Sequence, residues 1–166
     1  MYQIGQYVMY GNTGICKVMS IGPSEFLNPE KEYYTLQPIF SNTNSVIYVP
    51  TDKAESVRKV LSASEAHSYL SSLKDMKVEH FASRNSTLVS QHYKSLLETH
   101  EIEKNLALFK EASEKIELAI EAGKKPLQTD LNFKETSERL LCEELSIALD
   151  LSQDEVRSQL ASALAE

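Results

Sequence analysis

The sequence predicts an α+β protein in which a small antiparallel β barrel is followed by an all-helical domain. Two observations carry that prediction. In the first sixty residues, β-branched and aromatic side chains come in runs of five to eight, broken by Gly, Pro and Asn, with no helical periodicity. After Pro50 the pattern turns helical and stays so to the end of the 166 residues. The expected organisation is a barrel domain over 1–60, a short helix and linker over 61–85, and a helical domain over 86–166.

Strand one is expected over residues 5–10, with Gln6, Val8 and Tyr10 on one face and Tyr7 and Met9 on the other. Gly11-Asn12-Thr13-Gly14 supplies residues that accept positive φ, which suits a tight hairpin. A second strand over 15–21 stops at Gly22-Pro23. A polar loop leads to a third strand over 32–40, bent at Pro38. The turn Ser41-Asn42-Thr43-Asn44 then opens a fourth strand over 45–49. Pro50 lacks an amide donor and ends the ladder. Thr51 reads as the N-cap of a helix running through Lys59.

The remainder divides into helices at polar breaks. Ser62 and Glu65 have capping-box spacing ahead of a short helix through Leu73. The hydrophilic stretch 74–85 is the expected domain linker. Residues 86–122 form a helical tract, breaking near 98–101 and stopped by Gly123. Its stripe consists of Leu88, Tyr93, Leu96, Leu97, Ile102, Leu106, Phe109, Ile116 and Ile120. Thr129 or Asp130 caps the next helix, whose inward stripe is Leu140, Leu141, Leu145 and Leu149. Ser152 and Glu155 repeat the capping-box spacing before a last helix with Val156, Leu160 and Leu164.

Charge is divided unevenly. Residues 1–60 hold five basic and five acidic side chains, and the remaining 12 basic and 19 acidic residues give the helical half a net charge of −7. A surface of that sign will not coat DNA non-specifically, because affinity for phosphates depends on Lys and Arg displacing counterions. Any nucleic-acid contact must be a local patch. No apolar run could span a bilayer, and the first residues lack the basic start and apolar core of a signal peptide. Cys16 and Cys142 have no Cys or His partner at metal spacing and read as small buried apolar residues in a reducing cytoplasm. The histidines, His67, His80, His92 and His100, form no ligand set. No phosphate loop, nucleophile elbow or His–carboxylate pair appears, and Glu143-Glu144 reads as a solvated pair. These absences predict a binding protein rather than an enzyme, with no cofactor, metal or small-molecule substrate.

The ordered motifs "I-G-x-x-V-x-Y-G-x-x-G-I-x-x-V", "E-Y-Y-x-L" and "V-x-V-P-x-x-x-A" resemble the RNA polymerase-interacting domain of the CarD/CdnL family of bacterial transcription regulators. A similar Tudor-like module occurs in the transcription-repair coupling factor. The segments 123–130 and 137–149 resemble the family's last helices. The resemblance implies a Tudor-like barrel that docks on the RNA polymerase β subunit by extending a sheet through an exposed edge. Its implied polymerase-binding residues are Lys17, Ser24, Ile47 and Tyr48, with Ser24 and Tyr48 standing where some relatives carry arginine.

In the helical half, relatives set a Trp and basic side chains against the upstream edge of the transcription bubble. This chain has no Trp, and Leu131 and Asn132 occupy positions that are often basic. The cations left for upstream promoter DNA are Arg84, Lys94, Lys124, Lys125 and Lys134, with Phe81 or Tyr93 as the aromatic contact. Two functions fit. One is a cytoplasmic regulator that docks on polymerase and modulates open-complex stability through upstream DNA. The other is a polymerase-bound adaptor that recruits another protein and barely touches DNA. A contiguous patch of the lysines favours the first, and scatter among carboxylates favours the second.

Overall fold

A computed structural model describes residues 1–41 and 44–165 and divides them into two compact units, Met1–Val60 and Leu61–Glu166. The first unit is a five-stranded antiparallel sheet of β1 (Tyr7–Tyr10), β2 (Gly14–Gly22), β3 (Tyr33–Pro38), β4 (Ile47–Pro50) and β5 (Val57–Lys59). Its strand order is β4-β3-β2-β1-β5. The second unit holds α1 (Ala63–Leu73), α2 (Ser86–Leu97), α3 (Ile102–Glu121), α4 (Gln128–Leu149) and α5 (Gln153–Ala165). The α+β class therefore stands as expected.

The hairpin at 11–13 sets the register of the sheet, pairing Tyr10 with Gly14, Val8 with Cys16 and Tyr7 with Lys17. Along β2 and β3, Cys16 lies opposite Pro38, Lys17 opposite Gln37 and Val18 opposite Leu36. Met19 is then the extra residue of a β-bulge, and pairing resumes at Ser20 with Thr35. Val8, Cys16, Val18, Tyr34, Leu36, Val49 and Val57 form the buried core on one side of the sheet. Of the turn expected at 41–44, Asn42 and Thr43 lie outside the described residues.

One expectation for this unit is corrected. The segment after Pro50 is not a helix. Lys53 donates to the Pro50 carbonyl at 3.1 Å and Val57 to the Ala54 carbonyl at 3.1 Å, two successive turns that deliver Val57–Lys59 to β1 as a fifth strand. The sheet is not closed into a barrel. Closure would pair β4 with β5, but the turns carry the chain to the far side of β1, so these strands are the two edges of an open sheet.

In the second unit, α4 contacts each of the other four helices, and Leu140 through Ser146 are buried without a break. Glu143 and Glu144 are accordingly not solvated. The Glu144 carboxylate accepts the Leu61 amide at 3.1 Å, and Glu143 accepts Arg139 at 2.7 Å. The Ser62–Glu65 capping box forms in both directions at 3.1 Å. Ser152 Oγ accepts the Glu155 amide at 3.1 Å ahead of α5. At the end of α3, Gly123 has φ +71° and its amide and that of Lys124 close on Ile120 and Ala119, a Schellman stop. Neither Thr129 nor Asp130 caps α4: the cap position is Leu127, and Asp130 is buried. Leu88 and Ile120, expected in the inward stripe, are exposed.

The hydrophilic stretch 74–85 runs inside the second unit rather than between units. Lys110, buried on α3, donates to the carbonyls of Leu73, Lys74 and Met76 at 2.7, 3.0 and 2.5 Å, so an ammonium closes the C-terminal end of α1. Both cysteines are buried and neither forms a disulfide, and burial pushes the Cys142 thiol up to about 11. No helix among the described residues is long and apolar enough to cross a membrane. Leu145 is fully buried against Leu141, Leu106 and Leu160 in one cluster, so Leu145→Ala is expected to lower stability by about 2–5 kcal/mol in chemical denaturation. Ser62→Ala should lower it by about 1 kcal/mol through loss of the cap.

Candidate functional site

The sheet ends in two edge strands, β4 and β5, of which β4 is the longer. That strand is four residues long, its inner side is paired with β3 from Tyr33↔Pro50 to Leu36↔Ile47, and no strand lies on its outer side among the described residues. A strand with one unpaired side is a template for another strand. Alternation along the pleat then sorts the side chains. Ile47 and Val49 face the core, whereas Tyr48 faces away beside Thr35, its cross-strand partner. On β3, Thr35 and Gln37 share that outward face, and Gln37 lies opposite Lys17. The structure thus brings Lys17 and Tyr48 onto one face, linked across β3 by Gln37 and Thr35, all four half-buried.

Ser24 and Ile47 do not join them as side-chain contacts. Ile47 packs on the core and can serve a partner only through its backbone. Ser24 is buried in the β2–β3 loop, where its hydroxyl accepts the Phe26 amide at 3.2 Å. Phe26, two residues on, is 79% exposed. Sequence reading missed it, although Phe26-Leu27 between Pro23 and Pro29 is an apolar pair in a loop with no periodic reason to be buried.

Residues 2–61 match the family model described as the CarD-like/TRCF RID domain. The N-terminal unit is a CarD-like RNA polymerase-interacting domain. Comparison with curated proteins yields no match. The matched segment spans all five strands of the polymerase-interacting domain and ends where the second unit begins.

The cations expected at DNA are dispersed over the helical unit. Arg84 precedes the Asn85 cap of α2, and Lys94 lies in the last turn of that 12-residue helix, which is about 18 Å long. Both are exposed. Lys124 and Lys125 are exposed in the connection from α3 to α4. Lys134 is half-buried in a groove between α3, α4 and α5, which also carries Glu117, Glu121, Glu138 and Arg157. Only Lys124 and Lys125, adjacent in sequence, form an evident pair.

The two aromatic candidates differ in kind. Tyr93 is wholly buried, and its hydroxyl donates to Asp130 at 2.6 Å. Lys115 pairs with Asp130 at 3.0 Å, donates to the Tyr93 oxygen at 3.2 Å and to the Phe81 carbonyl at 2.7 Å. This network ties α2, α3 and α4 and leaves Tyr93 no face for DNA. Phe81 is 37% exposed, stacked on His92 with ring centroids 4.8 Å apart. Its amide donates to Glu111 at 3.0 Å, and His92 Nε2 meets the same carboxylate at 2.8 Å.

Burial, and then the hydrogen bond to Asp130, push the Tyr93 hydroxyl well above the ordinary tyrosine range. The proton stays on Tyr93 in the folded chain, so this group's contribution to stability is complete below the unfolded value near about 10 and declines as pH rises beyond it. Asp130→Ala strands the Lys115 ammonium and should cost about 3–5 kcal/mol in urea denaturation. Tyr93→Phe removes one neutral donor and should cost less, about 1–3 kcal/mol.

Proposed function

We propose that this chain is a non-enzymatic, cytoplasmic transcription regulator that docks on the RNA polymerase β subunit through the β4 edge and modulates promoter open complexes through upstream DNA. The observation that carries this reading is an unpaired edge strand within a polymerase-interacting domain, flanked on one face by Tyr48 and Lys17. A polymerase strand added to β4 would satisfy its outward backbone groups, and Tyr48 with Lys17 would meet the surface beside it. Where charge at Tyr48 would have offered a salt-dependent contact, a phenol offers apolar area with a polar tip.

Upstream DNA contact would fall to Lys124 and Lys125, on the α3–α4 connection Ala122-Gly123-Lys124-Lys125-Pro126-Leu127, which holds no carboxylate. A second reading, a polymerase-bound adaptor with little DNA contact, is favoured by the surroundings of Lys134 and by the separation of Arg84 from Lys94. Both readings share the docking step and differ in the use of the helical unit.

Full-length chain carrying Tyr48→Glu is expected to lose affinity for core polymerase while keeping its thermal midpoint; binding unchanged in a pull-down would sink the edge assignment. Free protein should bind duplex DNA too weakly for fluorescence anisotropy near physiological salt, since a unit with 12 basic and 19 acidic residues neutralises few phosphates. Beside polymerase, tethering raises effective concentration. There, Lys124→Glu with Lys125→Glu should shorten or lengthen open-complex lifetime relative to wild type without disturbing docking. An identical lifetime selects the adaptor.

A further inference from the structure

We propose that Phe26 is the apolar anchor by which the N-terminal domain seats on RNA polymerase, beside the β4 edge; the proposal rests on the docking function above. Phe26 is the most exposed aromatic side chain among the described residues, and Leu27 next to it is 43% exposed. A single exposed apolar residue is ordinary on a protein surface. What sets this one apart is how firmly it is held. The Phe26 amide is tied to Ser24 Oγ at 3.2 Å, the Glu30 amide to Asn28 Oδ1 at 3.0 Å, and the Lys31 amide to the Asn28 carbonyl at 3.2 Å. Pro23 and Pro29 fix the backbone on either side.

The loop 23–32 is also joined to the docking edge. Its last residue, Glu32, accepts the Thr51 amide at 3.0 Å, and the next, Tyr33, lies opposite Pro50 at the end of β4. The end of β4 is thus held directly against the last residue of this loop. Ser24 is buried and its hydroxyl is taken up by the Phe26 amide, so at this turn the side chain offered to a partner is the phenyl ring. A ring presented by a braced loop loses little conformational freedom when it is buried, and aromatic side chains are enriched in the cores of interfaces. The four residues of β4 give register and backbone bonds, and Phe26 supplies the apolar area that a short edge lacks.

The test measures binding of core RNA polymerase to the immobilised full-length chain in four forms: wild type, Phe26→Ala, Phe26→Leu and Tyr48→Glu. Phe26→Ala is expected to weaken binding by about tenfold or more, mainly through faster dissociation, with Phe26→Leu retaining most of the affinity. Circular dichroism melting should be unchanged, because the ring touches little in the free chain. Affinity within about twofold of wild type for Phe26→Ala, while Tyr48→Glu binds weakly, overturns the anchor and leaves edge docking standing. Wild-type chain that fails to bind polymerase overturns both. Sedimentation showing that Phe26→Ala abolishes self-association, with polymerase affinity intact, assigns the ring to a contact between copies and overturns the proposal.

Discussion

A stretch of helix with no solvent side governs the helical unit. From Leu140 to Ser146 every residue of α4 is buried, so the usual division into apolar and polar faces is unavailable over two turns. Each polar group on it must find a partner within the protein. Glu144 takes the Leu61 amide, Glu143 takes Arg139, Ser146 Oγ donates to the Glu143 carbonyl at 2.8 Å, and Ser137 reaches Asn105 at 2.7 Å. One end of the same helix holds Asp130, whose carboxylate fixes α2 through Tyr93 and α3 through Lys115. The other helices are thus positioned by polar side chains as well as by the leucine core, and α4 is where those constraints meet.

The division between sheet and helix was legible because local chemistry agreed with the final fold. Gly11-Asn12-Thr13-Gly14 marks its hairpin, Ser62 and Glu65 mark a helix start, and Gly123 marks a stop, each through interactions spanning only a few residues. The errors fall where distant contacts decide. Thr51 followed by Asp, Lys, Ala and Glu has every local reason to open a helix, yet pairing of Val57, Arg58 and Lys59 with β1, some fifty residues earlier, outweighs propensity. Glu143 and Glu144 look like surface residues by composition, and only the crowding of α4 reveals them as internal.

For the site, the structure turns Lys17 and Tyr48 to one face of the sheet, points Ile47 to the core and buries Ser24 in its loop. Alternation along β4 separates Ile47 from Tyr48, a distinction available once the core face is known. Ser24 shows a different limit: the resemblance set it at a partner contact, whereas its short hydroxyl turns back on the amide two residues ahead. Tyr93 satisfied both a core stripe and an aromatic contact on paper, and the buried carboxylate of Asp130 decides between them. The sheet unit also balances five basic against five acidic side chains, so its approach to polymerase receives no long-range steering from net charge.

The ammonium of Lys110 has a dynamic consequence. Helix ends normally fray because their last carbonyls can trade a weak internal bond for water at little cost. At the end of α1 the carbonyls of Leu73, Lys74 and Met76 instead converge on one charged donor rooted in the middle of α3. Peeling α1 away would break three charge-assisted bonds to that ammonium together, so opening of its last turn is coupled to α3. In native-state hydrogen exchange, α1 and the centre of α3 would belong to one cooperative opening unit, although Lys110 lies 37 positions beyond Leu73 along the chain.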